Sequence, residues 1–249
     1  MVKKILISQP QPSSEKSPYF EIARNYGVDF VFHPFIKVEG LSVQEFRKQK
    51  VRILDHTAIV FNSRHAIDHF FTLCKEMRVA IPETMKYFGI SEAVSLYIQK
   101  YVQYRKRKVF FPATGGKLPD LVALMAKHKT ENYLIPQSDV HSDEFHQLLE
   151  AKKLKHTECI MFRTVSNEFP ADCEFDFDMV VLFTPAGVES LLKNFPSFDQ
   201  GSTRLACFGP ATKKPMEDAG LRCDLSAPTP EARSMTAAIE MYLANENHH

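Results

Sequence analysis

The chain has 249 residues, of which 44% are hydrophobic and 24% are charged, and its formal net charge at pH 7 is +1. This composition is typical of globular proteins, and a charge near zero favours neither a nucleic-acid nor a membrane partner. No apolar run is long enough to span a membrane, and residues 2–8 turn polar too soon for a signal peptide. Five cysteines without a CxxC pair favour reduced thiols, so we expect a cytoplasmic protein.

Predicted strands and helices alternate along the first half of the chain. Short apolar runs predict strands at 4–8, 28–38, 58–61, 85–88 and 109–111. Amphipathic spacing and capping residues predict helices at 18–26, 42–49, 91–100 and 119–129, and one that ends at Met77. Pro34, inside the second apolar run, indicates a sheet edge or a bend.

The second half of the chain repeats this alternation. Its predicted strands are 133–136, 157–165, a run that begins at Met179, and 205–208. Its predicted helices are 142–153, one that follows Gly187, 212–219 and 231–244, with an acidic linker at 167–177 and a proline-rich loop at 227–230. Strands that alternate with helices of this length predict parallel sheets.

One segment occurs twice. The same pattern predicts a buried strand, a turn of small residues and the start of an amphipathic helix at residues 57–66 (TAIVFNSRHA) and again at 179–187 (MVVLFTPAG). Each copy is followed by a second shared signal, Phe88-Gly89 in the first and Phe208-Gly209 in the second. The two copies lie about half a chain apart, so the repeat predicts two related α/β halves.

The turns of these copies are the candidate binding positions. In open α/β sheets, ligands bind at the carboxyl ends of the parallel strands, where helix amino ends favour anions. The same side chains can also simply cap the helices, and the residues leave both roles open. The candidates are Asn62, Ser63, Arg64, Gly89, Ser91, Thr184, Pro185, Ala186, Gly187, Gly209, Pro210, Ala211 and Thr212, of which Thr212 is expected to be the N-cap of the helix 212–219.

The remaining polar patterns do not indicate a cofactor or a metal. The run Gly115-Gly116-Lys117 lacks the upstream glycine and following hydroxyl of a phosphate loop, and predicts a turn. His65 and His69 are spaced to share a metal, but no third ligand is evident. His141 and His146, with Asp143 and Glu144, are typical of a polar helix start, and the run 105–108 (RKRK) is typical of a solvated surface.

The chain resembles the uroporphyrinogen-III synthase family. The resemblance covers essentially the whole sequence and is most specific in the second half. The motifs that carry it are Leu182-Phe183-Thr184-Pro185-Ala186-Gly187, Cys207-Phe208-Gly209-Pro210-Ala211-Thr212, Asp218-Ala219-Gly220-Leu221 and Ala227-Pro228-Thr229-Pro230-Glu231-Ala232, with Ile59-Val60-Phe61-Asn62-Ser63 as the matching turn of the first copy.

The resemblance implies an architecture that the repeat alone does not specify. It implies two flavodoxin-like parallel-sheet domains that exchange segments, are joined by a two-segment hinge and hold the active site in the cleft between them. Domain 1 would comprise residues 1–37 and 170–249, and domain 2 residues 38–167.

The resemblance also implies an activity. The enzyme would cyclise hydroxymethylbilane to uroporphyrinogen III, with inversion of ring D and loss of water. It would use no cofactor, Thr212 and Ser63 would be the catalytic residues, and the other turn residues would bind substrate. We expect a monomer, to which the preceding enzyme of the pathway can hand over its product.

Three positions depart from the family pattern. Phe162 stands where a tyrosine is frequent, Glu92 where a threonine is common, and 137–144 (QSDVHSDE) replaces a turn rich in glycine and arginine. The departures at Phe162 and Glu92 motivate an alternative, a non-catalytic two-lobed protein that binds tetrapyrroles or regulates their synthesis. A secreted solute-binding protein is a third interpretation, which the missing signal peptide disfavours.

Overall fold

A computed structural model describes residues 1–170 and 172–246 of the chain. The chain divides into two compact units. Unit 1 comprises Met1–Lys37 and Val165–His249, and unit 2 comprises Val38–Thr164. Across the described residues, the helices fall short of the length and apolarity that a membrane-spanning helix requires.

The strands and helices alternate over most of the chain. In chain order the strands are β1 (Lys4–Ile7), β2 (Asp29–Phe32), β3 (Ile36–Gly40), β4 (Ala58–Phe61), β5 (Lys86–Gly89), β6 (Val109–Phe110), β7 (Tyr133–Ser138), β8 (His156–Ser166), β9 (Met179–Leu182), β10 (Arg204–Phe208) and β11 (Leu225–Ala227). The helices are α1 (Pro18–Tyr26), α2 (Val43–Lys48), α3 (Arg64–Glu76), α4 (Glu92–Tyr97), α5 (Leu118–Met125), α6 (Glu144–Ala151), α7 (Pro185–Asn194), α8 (Pro210–Asp218) and α9 (Met235–Glu246).

The first sheet has the order β11-β10-β9-β1-β2, and its neighbouring strands are parallel. Ile5 and Ile7 of β1 point to one face of this sheet, into a cluster with residues of α1 and α9. Leu6 points to the other face, into a cluster with residues of α7 and α8. Because alternate residues of a strand face opposite sides, a strand covered on both sides must be apolar throughout, and residues 5–7 are fully buried.

The second sheet has the order β3-β8-β7-β4-β5-β6, and β4, β5, β6, β7 and β8 are joined by parallel pairs. Ile59 and Phe61 of β4 pack against α3, whereas Ala58 and Val60 pack with residues of α5 and α6. Both sheets are therefore layered between helices, which confirms the prediction of an α/β fold with parallel sheets.

The strand predicted at 28–38 is wrong in one respect, because the structure divides it. Its first part is β2 in the first sheet, and its second part lies in β3 of the second sheet. The bend falls at Pro34, whose missing amide cannot donate to a strand ladder. The short strand β11 was not predicted. The last helix begins at Met235 rather than at residue 231, where it was predicted to begin.

A partly buried polar network holds α7 in unit 1. The Ser190 hydroxyl donates to the Phe35 carbonyl over 2.6 Å, and the amide nitrogen of Asn194 donates to the Ser190 carbonyl over 2.9 Å and to the Asn167 carbonyl over 3.1 Å. The Asn194 side-chain oxygen accepts from the Phe169 amide over 3.0 Å. Asn194 thus satisfies backbone groups of the irregular segment that follows β8.

Candidate functional site

Three of the predicted turn residues cap helices with their hydroxyl groups. Ser63 accepts from the Ala66 amide over 3.1 Å at the start of α3, and Thr184 accepts from the Gly187 amide over 3.1 Å at the start of α7. Ser91 accepts from the Val94 amide over 3.4 Å at the start of α4. The capping role expected of these residues is confirmed, and each cap lies where a parallel strand ends.

The expectation that Thr212 caps a helix is wrong. The helix α8 begins at Pro210, and its N-cap is Gly209, which has a positive φ of 81°. Glycine tolerates this conformation and the fixed φ of proline suits the first helical position, so the helix begins two residues earlier than the sequence suggested. Thr212 becomes the third helical residue and exposes only 1% of its surface.

A cavity of about 520 Å³ lies at the carboxyl ends of β1, β9 and β10 in unit 1. Thr184 lines it together with two aromatic rings, Phe183 and Phe208, whose centroids are 6.2 Å apart. Phe208 is 37% exposed, which is unusual for so large an apolar side chain. The surface is therefore an apolar wall beside a helix amino end.

The same cavity has a positively charged side chain that was not predicted from the sequence. Arg233 lines it, in the loop between β11 and α9, and Gln9 lines it from the loop after β1. Arg233 comes directly after the motif that ends at Ala232, so the only available signal was its position beside that motif. A guanidinium group matches a carboxylate in two-point geometry, so this cavity can bind an acidic, partly apolar molecule.

In unit 2, the turn after β4 is half-buried at Asn62 and Ser63 and exposed at Arg64. The Arg64 guanidinium lies over the ring of Tyr97, 5.4 Å from its centroid. Asp68, one helical turn from Arg64, accepts hydrogen bonds from Tyr97, Tyr101 and Lys100. Burial alone would raise the pKa of Asp68, but these hydrogen bonds outweigh it and lower the pKa, so the carboxylate stays charged.

Packing explains why position 89 is a glycine. It is buried at the end of β5, and a Cβ placed on it would lie 1.9 Å from the Ser95 hydroxyl oxygen. The loop at Gly115 and Gly116 folds onto the same turn, where the Gly116 amide donates to the Ile90 carbonyl over 2.8 Å. Both loop glycines have positive φ values, 57° and 87°, which confirms the predicted turn.

Two of the family departures have local explanations in the structure. Phe162 is buried in the core of unit 2, where its ring stacks on His69 at a centroid distance of 5.2 Å. Glu92 is exposed at the first position of α4, where a negative charge is favourable.

The His65 and His69 rings are 6.5 Å apart, and the described residues offer this pair no third histidine, cysteine or carboxylate ligand.

Cys207 ends the buried part of β10, immediately before the Phe208-Gly209 turn. Its sulfur lies 3.4 Å from the sulfur of Cys223. This hydrogen bond raises the pKa of the Cys207 thiol and lowers the pKa of Cys223 to about 7. The turn therefore has a partly exposed thiol beside it whose pKa is lowered by its neighbouring thiol.

Comparisons with known proteins agree on one family. The family model described as "Uroporphyrinogen-III synthase HemD" matches residues 17–237. The uroporphyrinogen-III synthase of Saccharomyces cerevisiae is 29% identical over 254 residues, covering 88% of this chain and 89% of that protein. The crystal structure of uroporphyrinogen-III synthetase from Helicobacter pylori superposes with a TM-score of 0.54 at 11% identity, covering 98% of this chain and 99% of the other, which indicates the same fold. The chain therefore belongs to the uroporphyrinogen-III synthase family.

Proposed function

We propose that this protein converts hydroxymethylbilane to uroporphyrinogen III, inverting ring D and releasing water. The observation that carries the proposal is the family match over residues 17–237, which spans both units. The geometry agrees with the chemistry of the substrate, since a linear tetrapyrrole combines apolar rings with several carboxylates. The lining of the unit 1 cavity includes both an aromatic pair and an arginine.

The reaction draws its electrons from the substrate. Loss of the hydroxyl group as water leaves an azafulvene, which the nucleophilic ring carbon attacks within the same molecule to form a spiro intermediate. That intermediate reopens and closes to the inverted macrocycle. The protein then mainly has to hold a flexible chain in the reactive conformer, and positioning of this kind accelerates reactions strongly.

We assign the turn residues different parts in this positioning. Thr184 and the exposed Phe208 contact the substrate rings at the unit 1 cavity, and Arg233 binds a carboxylate. In unit 2, the helix amino end at Ser63 and the exposed Arg64 offer a second anion partner. Thr212, almost fully buried, contributes by holding the shape of its turn rather than by contact.

Product analysis tests the activity. Freshly prepared hydroxymethylbilane cyclises spontaneously to isomer I, so the fraction of isomer III reports the enzyme directly. We expect isomer III to dominate with the protein and to be absent with heat-denatured protein. If only isomer I forms, at the spontaneous rate, the proposal is wrong and the chain is a non-catalytic member of the family.

The Arg233→Ala variant tests the site. Removing one charge-assisted contact to a substrate carboxylate costs about 1.5–3 kcal/mol, or roughly tenfold or more in kcat/KM. The exposed Arg24, near the end of α1, provides the matched control Arg24→Ala. If the two variants have equal activity, Arg233 does not bind the substrate. That result would not contradict the proposed isomer III activity.

A further inference from the structure

Two helical and two strand residues form a polar cluster in unit 2 that the proposed function does not use. His146 and Glu150 are four residues apart on α6, and therefore lie on one face of the helix. His156 and Glu158 are two residues apart at the start of β8, and therefore lie on one face of the strand. The sequence around His146 is typical of a polar helix start, and nothing in it indicates that α6 packs onto β8.

Three of these side chains converge. His146 Nδ1 lies 2.7 Å from the nearer carboxylate oxygen of Glu158, and the rings of His146 and His156 are 5.7 Å apart at an angle of 67°. One ligand atom from each of His146, His156 and Glu158 lies within 4.8 Å of the other two. Ligand atoms this close together can reach a common ion.

His156 is oriented for this role by its own backbone. Its Nδ1 lies 2.8 Å from the Leu154 carbonyl oxygen, which can only accept a hydrogen bond, so Nδ1 carries the proton. The lone pair is then on Nε2, which faces the Glu150 carboxylate 3.8 Å away. A backbone carbonyl that fixes the second ring nitrogen is the usual arrangement around a metal-bound histidine.

Solvation and charge also fit a cation. The His156 side chain is only 7% exposed, the Glu158 side chain is 21% exposed, and the His146 side chain is 51% exposed. Two imidazoles and the Glu158 carboxylate thus meet at a half-open position, and a zinc ion with three protein ligands takes a water molecule as its fourth ligand.

We infer that His146, His156 and Glu158 bind a zinc ion, which fastens α6 to β8. Two imidazole nitrogens and one carboxylate oxygen are a donor set that Zn²⁺ accepts in tetrahedral geometry. The site lies where β8 begins, whereas the turns of the proposed active site follow the ends of β4 and β5. Because the strands are parallel, these are opposite edges of the sheet, and the ion stabilises unit 2 without taking part in the reaction.

The test is a titration of the chelator-treated full chain with Zn²⁺ alone, in competition with a chromophoric chelator. We expect binding of one ion at this cluster and a rise of the melting temperature by about 5 °C when free Zn²⁺ is about 100 times its dissociation constant. The variants His146→Ala and Glu158→Gln should each raise the dissociation constant at least about tenfold and abolish the thermal shift.

The exposed His141, outside the cluster, gives the matched control His141→Ala, which should bind like the wild type. The cysteines and the two C-terminal histidines remain in every variant, so their contribution cancels. Because the His146 side chain is partly exposed, we expect His146→Ala to fold even if Glu158→Gln is unstable. Wild-type affinity in His146→Ala, no thermal shift in the wild type, or an equal loss in His141→Ala would each overturn the inference.

Discussion

Gly89 is both a candidate substrate-binding residue and a position without space for a side chain, and one substitution separates these roles. In Gly89→Ala the added methyl group would lie 1.9 Å from the Ser95 hydroxyl oxygen, 3.0 Å from its Cβ and 3.2 Å from its Cα. The hydroxyl must rotate away, and the two backbones must move apart by a few tenths of an ångström. Overpacking of this kind costs about 1–3 kcal/mol in the free energy of unfolding.

Ser95 provides the compensating change. It is 3% exposed, and its hydroxyl oxygen finds no hydrogen-bond partner among the described residues. Ser95→Ala therefore removes an unsatisfied buried group and should be neutral or stabilising by about 1 kcal/mol. It also removes the atom at 1.9 Å, so Gly89→Ala should cost about 1–2 kcal/mol less in the Ser95→Ala background than in the wild type.

Urea unfolding of the four proteins, followed by far-UV circular dichroism, measures this coupling, and the isomer III assay on each folded variant measures activity. We expect a clear coupling energy together with near-normal activity in the double variant. The reasoning is refuted if Gly89→Ala costs the same in both backgrounds. A stable Gly89→Ala protein that forms no isomer III would instead assign the glycine to substrate binding.

Four further predictions follow from the described contacts. Thr184→Ala should lose about 1 kcal/mol of stability through the missing helix cap, whereas Thr184→Ser should be nearly silent in thermal melts. Asn194→Ala leaves the Phe169 amide without its acceptor and should cost about 1–2 kcal/mol in urea unfolding, because partly buried backbone groups of unit 1 lose their partners. Alkylation of Cys223 by iodoacetamide should reach half its maximal rate at about pH 7, because the thiolate forms above its lowered pKa, and Cys207→Ala should shift this midpoint upward. Isomer III formation should survive exhaustive dialysis against a chelator, and a loss of activity that added metal restores would contradict this.

The sequence was most informative where burial on both faces demanded apolar residues. The segments at Ala58–Phe61 and Met179–Leu182 are fully buried, so an unbroken apolar run marked each strand and made the repeat visible. The strand pair β2 and β3 was harder to resolve, because both parts are only partly buried and Pro34 is the sole signal between them.

The candidate site was predicted less completely, because its side chains come from distant parts of the chain. Ser63 and Thr184 follow directly from the rule that small hydroxyl residues begin helices. Arg233 reaches the cavity of Thr184 from a loop far along the sequence, and the charge of an exposed arginine carries no signal of its own. Thr212 was misplaced because a glycine and a proline start its helix without any side-chain cap.

The position of β1 has a consequence for how the protein is made. This strand lies inside the first sheet between β2 and β9, and the Lys4 amide donates to the side chain of Asp178, 174 residues further along the chain. During synthesis, every residue of unit 2 leaves the ribosome before the strands that complete the sheet around β1 exist. The nascent amino-terminal segment must therefore wait with one edge of β1 unpaired while the middle of the chain folds, and such edges invite pairing with other chains. Translation speed and chaperone supply should limit the yield of this protein more strongly than that of one whose sheets are continuous in sequence.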